Sequence, residues 1–265
     1  MYRHIRSEFS GRLGTVTHDR PERRNAFSAD LMREMIGCAH ALAARRDLDA
    51  VLVTGAGGIF SAGADLKDSS RWAGDAPLLE QREIAGLGFR MARAWEELPQ
   101  ITIAAIEGYA VGGGLALAAA LDWRVIARDA FVSLPEISLG IPLTWGTLPR
   151  LVNLVGPAKA KRLAILGERV GAEQALAIGL VDEVCEHSRS LQTARRLAEA
   201  AMRLPKHSVL MTKEAINAYA GLGAHAVSYM AHDQLELAAG SPESRAAREA
   251  ALSRPKRRPK PPTGE

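Results

Sequence analysis

Two glycine-rich stretches hold the residue types best suited to chemistry. Gly55-Ala-Gly-Gly-Ile-Phe-Ser-Ala-Gly-Ala-Asp-Leu66 follows the apolar run at 51–54, and Gly108-Tyr-Ala-Val-Gly-Gly-Gly-Leu115 follows the run at 101–106 and opens a helix. Glycines just after a strand leave backbone N–H groups free to face a ligand, and small neighbours let that ligand come close. At a helix start the same N–H groups add partial positive charge. Two donor loops of this kind can form an oxyanion hole. Nucleotide chemistry fits less well, because the first loop does not spell G-x-G-x-x-G and neither carries the Lys-Ser or Lys-Thr of a phosphate-binding loop. Taken singly, each loop also serves as a tight turn that lets a strand and a helix pack closely.

The elements that must position these loops alternate along the chain. Short apolar runs at 51–54, 101–106 and 123–126 read as buried strands, and 28–45, 113–120, 158–166, 172–178 and 189–203 read as helices. Such alternation predicts an α/β fold. Ser28 is placed to cap the first helix, and Gly167, Gly179 and Gly240 follow helical stretches where a left-handed residue is wanted. From about Pro205 the chain is Ala-rich and helical, with no strand signal. The expected organisation is an α/β core over 1–204, a helical region over 205–253 and a basic Pro-rich tail over 254–265.

Composition narrows the function classes. Of 265 residues, 47% are hydrophobic and 24% charged, which excludes disorder of the whole chain. The longest uncharged apolar run, 109–121, is 13 residues and too short to cross a bilayer. Arg3, Arg6, Glu8 and Arg12 interrupt any apolar leader segment, so the reading is cytoplasmic. Cys38 and Cys185 belong to no metal-ligand spacing and are expected as reduced core thiols. The formal net charge of +4 resides in the tail, where Arg254, Lys256, Arg257, Arg258 and Lys260 face only Glu265. The neutral body therefore lacks the broad basic face of a nucleic-acid binder.

Five motifs resemble the enoyl-CoA hydratase/isomerase (crotonase) family in order and spacing. They are Arg20-Pro-Glu-Arg-Arg-Asn-Ala-Phe-Ser28; Phe60-Ser-Ala-Gly-Ala-Asp65; Glu107-Gly-Tyr-Ala-Val-Gly-Gly-Gly114 with Asp122; Leu134-Pro-Glu-Ile-Ser-Leu-Gly-Ile-Pro142; and Ile165-Leu-Gly-Glu168, followed by Ala172, Ala175 and Ile178-Gly-Leu-Val-Asp182. The resemblance implies a crotonase-like core of repeated ββα units, a C-terminal helical region that helps build a homotrimer or hexamer, and an acyl-CoA thioester as substrate. It implies no metal and no cofactor beyond the coenzyme A of the substrate. None of the seven histidines lies in these motifs, and each is read as a surface or structural residue.

Residue by residue, the resemblance implies that the backbone N–H groups of Ala64 and Gly113 hold the thioester oxygen. Ser61, Ala62 and Asp65 would line the coenzyme A, with Arg24 and Lys67 meeting phosphates. Hydratases of the family use two glutamates, and here the first position is Ala116 while the second is Glu136. Glu136 is flanked by apolar residues, where burial would raise its pKa toward that of a useful base. A single base suffices for the family's Δ3,Δ2-enoyl-CoA isomerases, in which it would take a proton from C2 and return it to C4. The expectation is accordingly an isomerase, with an enoyl-CoA hydratase or related acyl-CoA lyase as the alternative. A non-catalytic acyl-CoA or RNA binding protein is a remote third. Acyl-chain length is left to how Trp72, Trp95, Trp145 and the segment 68–92 pack.

Overall fold

The unbroken apolar runs become the middle of a parallel sheet, where both faces are covered. The computed structural model describes residues 2–68, 76–228 and 230–253, so Trp72 and the basic tail lie outside the described residues. The main sheet holds β1 (Ile5–Ser10), β2 (Leu13–His18), β3 (Ala50–Gly55), β4 (Ile101–Ile106), β6 (Trp123–Ala127) and β9 (Glu183–Cys185), in that order. The β1–β2 pair is antiparallel and every other pair is parallel. A smaller sheet joins β5 (Tyr109–Val111) in parallel to β7 (Phe131–Ser133), which pairs antiparallel with β8 (Val170–Gly171).

Because strand side chains alternate, each central strand serves two cores. Leu52, Ile103 and Ala105 pack under Ala194 and Ala198 of α7 (Ser190–Met202). Val51, Val53, Ala104 and Ile106 enter the larger core with α1 (Ala29–Ala43), α3 (Leu87–Glu96) and α4 (Gly113–Ala120). The ββα unit recurs as β1–β2–α1 and β4–β5–α4.

Ser28 caps α1, its Oγ accepting the Leu31 N–H at 3.2 Å. Gly167 and Gly179 are left-handed, with φ of 61° and 80°. Gly240 is not. Its φ is −71° because the chain passes directly from α10 (Ala231–Ala239) into α11 (Pro242–Ser253) without reversing. The helix expected over 158–166 begins earlier, as α5 (Thr147–Leu166), which kinks at Gly156 and resumes at Pro157. Strands β1 and β2 escaped the reading. In β1 all residues but Ile5 are exposed, so the edge strand lacks a continuous apolar signal. The segment 76–96 also forms helices, α2 (Leu78–Ala85) and α3.

The chain beyond Pro205 is helical as expected, with α8 (Lys206–Ala220), α9 (Ala224–Ser228), α10 and α11. Here α10 packs against α2, and α11 covers the 3-10 turn Glu136–Leu139. At that turn Gly140 meets the backbone of Ser244; a Cβ on Gly140 would lie 2.5 Å from the Ser244 Cα. No helix among the described residues is long and apolar enough to cross a membrane.

Candidate active site

The two glycine loops are laced together through their main chains. Phe27 N–H donates to the Gly63 carbonyl at 2.7 Å, and Asp65 N–H donates back to Phe27 at 3.0 Å. Ser61 exchanges bonds with the second loop, donating to Tyr109 at 3.1 Å and accepting from Val111 at 3.0 Å. Gly63, at φ +86°, allows the close approach: a Cβ there would lie 2.6 Å from the Val111 carbonyl and 3.1 Å from the Gly113 nitrogen. The buried Asn25 braces the turn behind the first loop, its Nδ2 donating to the carbonyls of Ala56 and Ile59 at 2.8 and 2.7 Å.

After this lacing, the N–H groups of Ala64 and Gly113 donate no hydrogen bond among the described residues. Both residues line one pocket together with Ala116 and Glu136. Gly113 stands at the first position of α4, where the N–H points out of the helix end. Gly112, at φ +55°, leaves room for the carboxylate: a Cβ there would lie 2.6 Å from Glu136 Oε1. The Glu136 carboxylate is therefore beside the start of α4.

The Glu136 side chain sits on the turn capped by α11, and its Oε2 has no partner among the described residues. Burial raises its pKa from 4.5 to about 7, outweighing the hydrogen bond from its own backbone N–H, which lowers it. Near neutral pH both protonation states are thus populated, as suits a group that must take up a proton and give it back. Among the described residues Glu136 is the one acidic residue lining the pocket, and Ala116, 2% exposed, carries only a methyl group. The cavity is about 40 Å³, and Ile141, Thr144, Trp145, Thr147 and Leu235 also line it.

The residues read as coenzyme A contacts divide into two groups. Arg24 and Lys67 are exposed and Ala62 is half-buried, its N–H donating to the Arg24 carbonyl at 3.0 Å. The side chains of Ser61 and Asp65 are turned into the protein. Ser61 is fully buried, its hydroxyl donating to the Asn25 carbonyl at 2.8 Å and accepting from Gly63 at 3.1 Å. The Asp65 carboxylate pairs with Arg20 at 3.2 Å and accepts the Lys67 N–H at 3.1 Å. These two side chains shape the loop, so any ligand contact from them falls to main-chain atoms.

Sequence reasoning missed Leu235, which arrives from α10, whereas Trp145, expected to bear on acyl-chain length, does line the pocket. Leu235 shares its helix face with Ala231, an i, i+4 apolar pair, but no local signal says what that face covers. Among the described residues, the one group placed to bind a metal is Glu107, Asp129 and His187, none of which lines this pocket.

Comparisons with known proteins give the chain a family and a fold. The sequence profile "Enoyl-CoA hydratase/isomerase" matches residues 8–249. A short-chain-enoyl-CoA hydratase of Clostridium acetobutylicum is 35% identical over 211 residues, 79% of each chain. A crotonyl-CoA hydratase of Syntrophomonas wolfei is 31% identical over 217 residues, 82% of each chain. Among solved structures, an enoyl-CoA hydratase/isomerase from Xanthobacter autotrophicus Py2 superposes with a TM-score of 0.86 at 30% identity, covering 96% of this chain and 97% of that one.

Proposed function

The chain belongs to the enoyl-CoA hydratase/isomerase family, and from that premise we propose that it hydrates a 2-enoyl-CoA thioester, using Glu136 as its single acid/base. The observation that carries the reading is the Glu136 carboxylate, whose Oε2 is buried without a partner among the described residues, on the same pocket as the N–H groups of Ala64 and Gly113, which donate no hydrogen bond among those residues. In this reaction the two N–H groups hold the thioester oxygen as negative charge develops on it. Losing one such donor typically costs about 3–4 kcal/mol of transition-state stabilisation. Protonated Glu136 delivers its proton to C2 while water adds to C3, and the proton released by that water restores the acid. Thr144 and Thr147 are at hand to hold the water in place of the missing second carboxylate. The hydratase names of the relatives support this direction over the isomerase preference drawn from the sequence.

Ala116 favours one second reading, the single-base isomerase. There ionised Glu136 removes a proton from C2 of a 3-enoyl-CoA, the donors hold the dienolate, and the same carboxyl returns the proton to C4. Arg24, Lys67 and the main chain at Ala62 would receive the coenzyme A in either case, and trimers or hexamers of the chain would be the working assembly.

The two readings demand opposite protonation states of one residue, so a pH profile separates them. For hydration, kcat/KM for a four-carbon 2-enoyl-CoA should fall as pH rises through about 7; for isomerisation, kcat/KM for the 3-enoyl isomer should rise through the same pH. Rapid hydration with the falling limb supports the first reading. Turnover of the 3-enoyl thioester alone overturns it in favour of the second. Full activity of Glu136→Gln on both substrates would refute both.

A further inference from the structure

Beyond the reaction itself, we propose that Trp145 is the specificity-determining residue for acyl-chain length, closing the pocket so that it favours short chains over long ones. The inference rests on the acyl-CoA reading of this same pocket. A thioester carbonyl between Ala64 and Gly113 places C2 near Glu136, and the rest of the chain must occupy the cavity beyond. The pocket that Ala64, Gly113, Ala116 and Glu136 line together is about 40 Å³ in all, which leaves little room for a long acyl chain.

The indole of Trp145 lines this pocket, and the surrounding structure is cut to hold it there. The side chain is 6% exposed. Its six-membered ring lies over Gly113, where a Cβ would come within 2.3 Å of Cζ3, and against Gly88 of α3, where a Cβ would come within 2.0 Å of Cε2. Phe27 meets the ring edge-on, with centroids 5.8 Å apart and planes at 70°. Two glycines and an aromatic neighbour thus leave the indole one seat. Leu235 also lines the pocket, but it belongs to the single-chain cover formed by α10, packed on Ala85 and Ile141, rather than to the core beneath. Rotating the indole away would require a vacancy on the α3 side, and the core there is filled by Met91 and Leu87.

The test is to measure binding of butyryl-CoA and dodecanoyl-CoA by calorimetry to the wild-type protein, Trp145→Ala, Trp145→Leu and Leu235→Ala. The wild type should bind butyryl-CoA at least tenfold more tightly than dodecanoyl-CoA. Trp145→Ala should shrink that ratio at least tenfold by gaining affinity for the long chain, with Trp145→Leu, which keeps an apolar side chain in the core, shifting it in the same direction and carrying the test if the alanine variant does not fold. Butyryl-CoA binding with an unchanged ratio in both Trp145 variants, or a shift produced by Leu235→Ala instead, overturns the assignment while leaving the acyl-CoA reading in place. Failure of the wild type to bind either thioester would overturn both.

Discussion

Replacing Glu136 with Gln should make the protein more stable as it makes it less active, and the gain should depend on pH in a direction the structure dictates. The unfolded chain ionises this carboxyl at about 4.5, whereas the folded protein holds the proton up to about 7. Between those values the unfolded state has lost a proton that the native state keeps, so native stability falls as pH rises from 4.5 to 7 and levels off above. At 1.36 kcal/mol for each tenfold difference in proton affinity, the cost is about 3 kcal/mol at pH 8 and under about 1 kcal/mol at pH 5. Glutamine is nearly the same shape and does not ionise, so Glu136→Gln escapes this cost. For a chain of this size, about 3 kcal/mol corresponds to a rise in Tm on the order of 6–12 °C. Thermal unfolding of both proteins at pH 5 and pH 8, at equal concentration, reads the difference, while kcat for the variant should drop about 10²-fold or more. An equal Tm change at the two pH values, or a larger one at pH 5, would refute the claim that Glu136 is held protonated by burial.

Four further outcomes are expected. Ala116→Glu, which restores a second carboxylate to the pocket, should raise the rate of water addition to a four-carbon 2-enoyl-CoA at least tenfold; no rise, with the fold intact, would show that Thr144 and Thr147 already hold the water. His18 is fully buried between Phe27 and Phe60, at centroid distances of 5.3 and 5.2 Å, and burial lowers its pKa from 6.5 to about 3. Its unfolded form therefore gains a proton as pH falls below 6.5, and His18 should cost about 2–3 kcal/mol more at pH 4.5 than at pH 7, opposite in sign to the Glu136 effect; denaturant titration of wild type and His18→Leu at both pH values reads it as the difference between the two proteins. Lys213 is buried and donates to Asp122 at 2.6 Å and to the Gln100 carbonyl at 2.7 Å, so Lys213→Met should cost about 3–5 kcal/mol, measured by urea unfolding, and Asp122→Asn added to it should recover part of the loss. Met211, Ile216, Tyr219 and Leu222 of the α8 region are 61–80% exposed in the single chain, and sedimentation should find a trimer or hexamer that Ile216→Asp dissociates.

The sequence by itself determined the frame of this protein. The largely apolar runs at 51–54, 101–106 and 123–126 announced buried strands because a strand covered on both faces reads as a near-continuous apolar run. Ser28 and Gly167 marked helix ends because capping chemistry is local. The two glycine loops and Glu136 were legible for a similar reason: backbone donors and a lone carboxylate carry their chemistry in residue type and spacing. Only the tertiary structure decided which of these groups share a pocket and what encloses it. Ser61 and Asp65 sit in the expected loop, yet their side chains turn inward to Asn25 and Arg20, which are 36 and 45 positions away. Trp145 acquires its seat from Gly88 and Gly113, and Leu235 reaches the pocket from a helix about 100 residues beyond Glu136. Proton affinity followed the same rule. The pKa of Glu136 near 7 depends on what is absent around its carboxylate, and the removal of water by elements distant in the chain is a property of packing that no run of neighbouring residues contains.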